Sequence, residues 1–276
     1  MSSQVVPMSN RLSSVIWGFV AGVFVLAGCA TETAPQVDPL AIGPDVEAIG
    51  VVSEESGRVI AASGGLDAWS KAKKIDFECV ATFYQEDGTF YLTEQRYEFF
   101  PWSSSVRISG REPSGEYTWQ LQQAPKAPGG GRFGVLQGLS EYEGLGVGVD
   151  KGCVAEGILS LVTAPVRLLD KGVEFRWSNE TVNLGGQWYK PIKRVVNADA
   201  PDSAGQRDAG FYQSRSTERV DMVLLACGGS RGVLIVRGYD YRLLGRGEIM
   251  IPSKIEVFNA DATGRVRHRI IQLDVK

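Results

Sequence analysis

Apolar positions change their spacing several times along the chain. From Leu12 to Ala27 nearly every residue is apolar, and these 16 residues would form a helix of about 24 Å, short of the roughly 30 Å hydrocarbon core of a bilayer. Residues 29–50 mix prolines with small and polar side chains and hold no aromatic residue, which predicts a flexible tether. Ser53 then stands as an N-cap, with Glu54 and Glu55 at the positive end of a helix that runs to Ala62 and stops at Gly64-Gly65. A second short helix, Leu66 to Lys74, carries Trp69. From Ile75 the period becomes two: Phe77, Cys79, Ala81 and Phe83 share one face of a strand. Gln85-Glu86-Asp87-Gly88 reads as a hairpin turn. The return strand to Phe100 puts Tyr91, Thr93, Gln95, Tyr97 and Phe99 on one face, with Glu94, Arg96 and Glu98 on the other, wet face.

Further strands are predicted at 105–109 and at 116–122, where Tyr117, Trp119 and Leu121 align. A Pro/Gly-rich loop covers 124–134. A helical zone covers 154–169, with an apolar stripe of Ile158, Leu161, Val162, Leu168 and Leu169 and a kink or split at Pro165. Strands resume at 173–177 and 187–197, an exposed polar loop spans 198–210, and strands follow at 219–226, 233–240, 249–259 and 266–275. Short connections between successive strands predict an antiparallel meander in one domain, residues 51–276, mostly β with a few helices.

Composition narrows the function. With 29 basic and 32 acidic side chains and a net charge of −3, the chain lacks the concentrated cationic face of a nucleic-acid binder. Its single histidine, His268, lies in a strand among Arg265, Arg267 and Arg269. That pattern reads either as a wet face or as a small cationic stripe meeting lipid headgroups or an acidic partner. A serine–histidine–acid triad would have to use His268. The run Gly129-Gly130-Gly131-Arg132 lacks the ending of a phosphate loop, and Gly144, Gly146 and Gly148 lack dinucleotide spacing. No Cys-x-x-Cys occurs. The expectation is therefore no catalytic residue, no metal and no cofactor. Of the four cysteines, Cys79 reads as a small core residue; in an exported protein, one pair among Cys79, Cys153 and Cys227 can oxidise and leave one thiol buried.

Two resemblances add to this. Arg11 followed by the apolar run and Leu26-Ala27-Gly28-Cys29 resembles the signal and lipobox of bacterial lipoproteins. The resemblance implies a signal peptide over 1–28, cleavage before Cys29, a diacylglycerol on the Cys29 sulfur and a further acyl chain, such as palmitate, on the new amine. Ala30 and Thr31 follow the cysteine where the enteric inner-membrane retention signal has aspartate, so the implied site is the outer membrane, facing the periplasm.

The body resembles the LolA/LolB-like family of lipoprotein localisation factors. The residues that carry the likeness are Gly64-Gly65-Leu66-Asp67-Ala68-Trp69 ahead of the first strand, and, late in the chain, Tyr239-Asp240-Tyr241 and Ile251-Pro252-Ser253-Lys254-Ile255-Glu256-Val257 before a closing hairpin. The family implies an unclosed antiparallel β-barrel, a half-barrel, with helices across the concave side and an apolar trough for a lipid, acyl chain or hydrophobic peptide. On that reading the trough is lined by Phe83, Tyr91, Tyr97, Phe99, Trp119, Phe175, Met222, Leu224 and Ile235, and the lid is Ile158, Leu161, Leu168 and Leu169. The family's lid-locking arginine and its exposed hydrophobic loop find no matching position here. The competing reading is a half-barrel with a filled core that acts on envelope proteins through its surface loops.

Overall fold

A computed structural model describes residues 38–44, 52–112, 115–122, 151–170, 173–195, 209–227, 232–244, 248–261 and 264–276. The signal segment, Cys29 and most of the tether lie outside the described residues. Helix α1 (Glu54–Ala62) starts where expected: Ser53 Oγ accepts from the Ser56 amide at 3.1 Å, and Glu54 and Glu55 occupy the first turn. It ends at Gly64 and Gly65, both at positive φ (117° and 90°), and a Cβ at Gly64 would meet the Glu248 carbonyl oxygen at 2.1 Å. Helix α2 (Leu66–Lys71) is shorter than expected, because the Ala72 amide turns back to the Trp69 carbonyl and the chain straightens into β1 (Ile75–Tyr84).

The strands that follow are β2 (Phe90–Phe100), β3 (Ser105–Glu112) and β4 (Gly115–Gln122), then α3 (Lys151–Val162) and α4 (Ala164–Arg167), then β5 (Glu174–Trp177), β6 (Val182–Leu184), β7 (Gln187–Val195), β8 (Ala209–Ser214), β9 (Val220–Ala226), β10 (Val233–Leu244), β11 (Ile249–Ala260) and β12 (Val266–Val275). All pair antiparallel in one sheet of order β4-β3-β2-β1-β12-β11-β10-β9-β8-β7-β5, with β6 also on β7. The first strand thus pairs with the last, Cys79 opposite Val275 and Phe83 opposite Ile271, and the sheet extends from that seam as two wings. Its end strands, β4 and β5, do not pair with each other among the described residues, so the barrel is unclosed.

Several strands also differ from expectation. Strand β6 is short; its tight turn through Gly185-Gly186 (φ 65° and 85°) returns to β7. Strand β8 occupies part of the stretch read as a loop at 198–210 and continues to Ser214. Strand β10 continues past Asp240, which has a φ of 50° and falls between the pairs Tyr239–Lys254 and Tyr241–Pro252, and the Ser253 hydroxyl donates to the Asp240 carbonyl at 2.6 Å.

Helix α3 lies across the sheet, packed on β9, β10 and β11 and also against β3 and β4; α4 packs against α1. The break between α3 and α4 falls at Thr163, two residues before the expected Pro165. One continuous core joins this helical segment to the inward rows of both wings. No helix among the described residues is long and apolar enough to cross a membrane.

Residues 38–44, inside the stretch expected as tether, lie against the barrel. Arg107 Nη1 donates to Asp38 Oδ2 at 2.9 Å and to Glu98 Oε2 at 3.1 Å, and Lys74 Nζ donates to Glu98 Oε1 at 3.0 Å. The Arg107 hydrogen bond holds the Asp38 carboxyl below the usual carboxylate range. Burial works against the Glu98 charge, but Lys74 and Arg107 outweigh it and the carboxyl is again lowered. Both folded-state values lie below those of the unfolded chain, so the cluster's stabilisation is present above the ordinary carboxylate range and is lost as pH falls through the folded values. Arg107→Ala is expected to cost about 1–2 kcal/mol at pH 7 and to flatten the acid limb of stability. Urea unfolding of both proteins from pH 7 to pH 3 checks this: equal acid slopes would dismiss the cluster as a source of stability.

Candidate functional site

The concave wall is aromatic because β1 and β2 place rings at facing positions. Phe77 stands opposite Tyr97 and Phe83 opposite Tyr91. Phe77 and Tyr97 stack at 5.7 Å between ring centroids, Tyr97 and Phe99 at 5.8 Å, and Phe83 and Tyr91 at 4.9 Å. On the far wing Phe175 meets Phe211 edge-on at 6.0 Å. Phe83, Tyr97 and Phe99 join Ile158, Leu161, Leu168 and Leu169 in the main core, with Tyr91 and Phe175 partly buried against it.

Met222, Leu224 and Ile235 fall elsewhere. They belong to a second cluster with Tyr189 and Ala260, on the opposite face of the sheet, while Val223, Leu225, Leu234 and Val236 point to the helix. Two features explain this. Both faces of β9 and β10 are apolar, so alternation alone does not choose between them. In addition, Tyr212 pairs with Met222 while Gln213 pairs with Val220, which leaves Asp221 as an extra residue and changes the parity of β9. Trp119 lies in β4, but its side chain is outside the described residues.

The helical segment also differs from a lid with one wet face. Every residue from Cys153 to Leu169 is buried. A segment apolar on all sides belongs inside, and this one fills the concavity as a plug. Two ionisable side chains are buried with it, Glu156 and Arg167. Burial pushes the Arg167 guanidinium down from its ordinary pKa, opposed by the charges of Asp170 and Glu156, and Arg167 Nη1 donates to Ser104 Oγ at 2.6 Å. Ser104 itself sits at φ 51°, in the left-handed region.

A Cys153–Cys227 disulfide, with Cα atoms 5.9 Å apart, ties the start of α3 to the end of β9. Cys79 is the buried free thiol, and burial pushes its pKa up to about 12, which keeps it protonated and inert.

One cleft of about 320 Å³ lies over β1–β4. Glu78, Glu94, Arg96, Arg111 and Lys276 line it, with the backbone at Gly110, and none of the trough candidates does. Lys276 Nζ donates to Glu94 Oε1 at 2.6 Å across it. The cationic stripe on β12 is only partly free: Arg265 and Arg267 are exposed, whereas Arg269 Nη1 donates to Glu256 Oε1 at 2.6 Å and its guanidinium lies 4.3 Å from the Tyr84 ring centre. His268 is half-buried opposite Asn259.

Gly228-Gly229-Ser230-Arg231-Gly232 has the Gly-x-Ser-x-Gly spacing of a nucleophile elbow. It connects β9 to β10, two antiparallel strands, where an elbow joins a strand to a helix. Residues 228–231 lie outside the described residues. Among the described residues, no group of three or more His, Cys, Asp or Glu is placed to hold a metal.

No family model matches the chain, and no curated protein matches it. Solved structures do. A LolA superfamily protein from Nitrosomonas europaea is 12% identical over 82% of this chain and 92% of its own, with a TM-score of 0.45. A domain described as outer membrane lipoprotein-sorting, from Vibrio parahaemolyticus, is 10% identical over 81% of this chain and 89% of its own, with a TM-score of 0.41. A DUF1329 family protein from Desulfovibrio piger is 9% identical over 82% of this chain and 91% of its own, with a TM-score of 0.40.

Proposed function

We propose that the protein is a non-enzymatic envelope lipoprotein, held by a lipid on Cys29 at the outer membrane and facing the periplasm, and that its half-barrel takes up an acyl chain or another apolar ligand. The ligand lies against the aromatic wall of Phe77, Phe83, Tyr91, Tyr97 and Phe99, in space made when α3–α4 shifts. The observation that carries this reading is the plug: an apolar segment in the mouth of an unclosed sheet, with an ionisable group buried in α3 (Glu156) and another in α4 (Arg167). Buried ionisable groups lose hydration, which leaves the segment less firmly held than an all-apolar one of the same shape. An acyl chain replacing it gains about 0.8 kcal/mol per buried methylene.

Native mass spectrometry of the protein purified from the envelope tests the reading. The expected result is an acylated N-terminus at Cys29 and a co-purified lipid that delipidation removes. An acylated protein that neither carries lipid nor binds a fluorescent fatty acid would overturn the ligand reading. It would favour the second reading, an interaction module with a filled core, which the continuity of the core around α3 supports.

A further inference from the structure

Residues 38–44 form a folded turn rather than free chain. Asp38 Oδ1 accepts from the Leu40 amide at 3.0 Å, the Ala41 amide donates to the Asp38 carbonyl at 2.9 Å, and Leu40 is buried. The turn is fastened to the sheet through the chain of ion pairs from Asp38 to Arg107, Glu98 and Lys74. Lys74 directly follows the loop out of α2, so the turn and α2 occupy the same end of the barrel. A Cβ built on Gly43 would lie 3.9 Å from Lys73 Cε. At this end Ile42 and Leu66 are 48% and 43% exposed. Lys71 and Lys73 are exposed beside them; Lys71 Nζ donates to the exposed Asp67 carboxylate at 2.6 Å, and Lys73 makes no ion pair among the described residues.

We propose that this end of the half-barrel rests on the bilayer that holds the Cys29 lipid, with Ile42 and Leu66 entering the headgroup region and Lys71 and Lys73 meeting anionic phosphates. The proposal rests on the lipid-anchor reading above and adds to it an orientation and a docking surface. Its ground is the length of chain between the anchor and the clamp. Only the eight residues 30–37 separate Cys29 from Asp38. Fully extended they reach about 30 Å, and as a flexible coil about 17 Å. A strand of the length of β10 spans about 40 Å. The opposite end, which carries the turns at 85–89 and 261–265, therefore stands beyond the ordinary reach of the tether. The far end exposes Phe90 and Leu92 as well, so the reach of the tether and the lysines, rather than apolar exposure, choose between the ends. Exposed aliphatic side chains partition into the interface, and lysines are drawn to an anionic leaflet.

Hydrogen exchange on the full acylated chain tests this, in vesicles of phosphatidylethanolamine and phosphatidylglycerol and in detergent. On vesicles, amides in 40–44 and 66–73 are expected to exchange at least about threefold more slowly, with no change in 85–92. Lys71→Glu with Lys73→Glu, and separately an insertion of roughly 30 Gly/Ser residues between Thr33 and Ala34, are each expected to abolish that protection. If an intact mass shows acylation and the near end exchanges at its detergent rate, or the 85–92 turn is the one protected, the docking surface is wrong while the anchor stands. If the mass shows no acylation, the anchor reading falls and this inference falls with it.

Discussion

Replacing Cys153 and Cys227 together by serine is expected to lower stability by about 4 kcal/mol, measured as a shift in the guanidinium midpoint at constant slope. The two cysteines are 74 positions apart in the chain, so the cross-link removes a large loop-closure freedom from the unfolded state. In the folded state it fixes the start of α3 against β9, the point from which the plug would otherwise loosen. Reduction of the wild-type protein should reproduce the effect. A loss below about 1 kcal/mol would mean that packing alone holds the segment, and would remove the disulfide from any account of how the plug is pinned.

Trp69→Ala is expected to cost about 3–5 kcal/mol in the same measurement, and Trp69→Phe about half as much. Trp69 is fully buried in the main core. Its indole nitrogen donates to the Ser63 carbonyl at 3.0 Å, and its own carbonyl accepts from the Trp102 indole at 3.1 Å. The side chain therefore ties α2 to the end of α1, while the main-chain carbonyl of the same residue holds the turn after β2. Truncation opens a cavity and strips the Ser63 carbonyl of this donor. The phenylalanine variant restores most of the volume but not the hydrogen bond, and the difference between the two variants measures the packing share. If alanine were tolerated at under 1 kcal/mol, the α1–α2 cap would be an ornament on a sheet stable without it.

The two ends of the chain's body differ in how much their patterns revealed. In β1 and β2 one face is aromatic and the other charged, so the inward positions Phe77, Phe83, Tyr97 and Phe99 follow from alternation alone. In β9 and β10 alternation is uninformative, since each face is apolar and buried against something, and Met222, Leu224 and Ile235 are as suitable by type as Val223, Leu225 and Val236. The extra residue at Asp221 has no local marker. The helical zone at 154–169 and its apolar stripe are legible, and the stripe is buried; the burial of the remaining face is not, although only Glu156 and Arg167 carry charge there, too few to outline a polar face. Strands β6 and β8 are too short for period two to stand out, although Gly185-Gly186 between alternating residues is a turn signal for the first. The Cys153–Cys227 pairing and the Asp38–Arg107 contact join distant positions, and spacing along the chain carries no information about either.

The seam between β1 and β12 bears on how this chain reaches its native state. It pairs residues as far apart in the chain as Cys79 and Val275, so closing it costs more loop entropy than any hairpin within a wing. The wings are expected to form first through their local hairpins and the seam to close last, so that substitutions at the seam speed unfolding more than they slow folding.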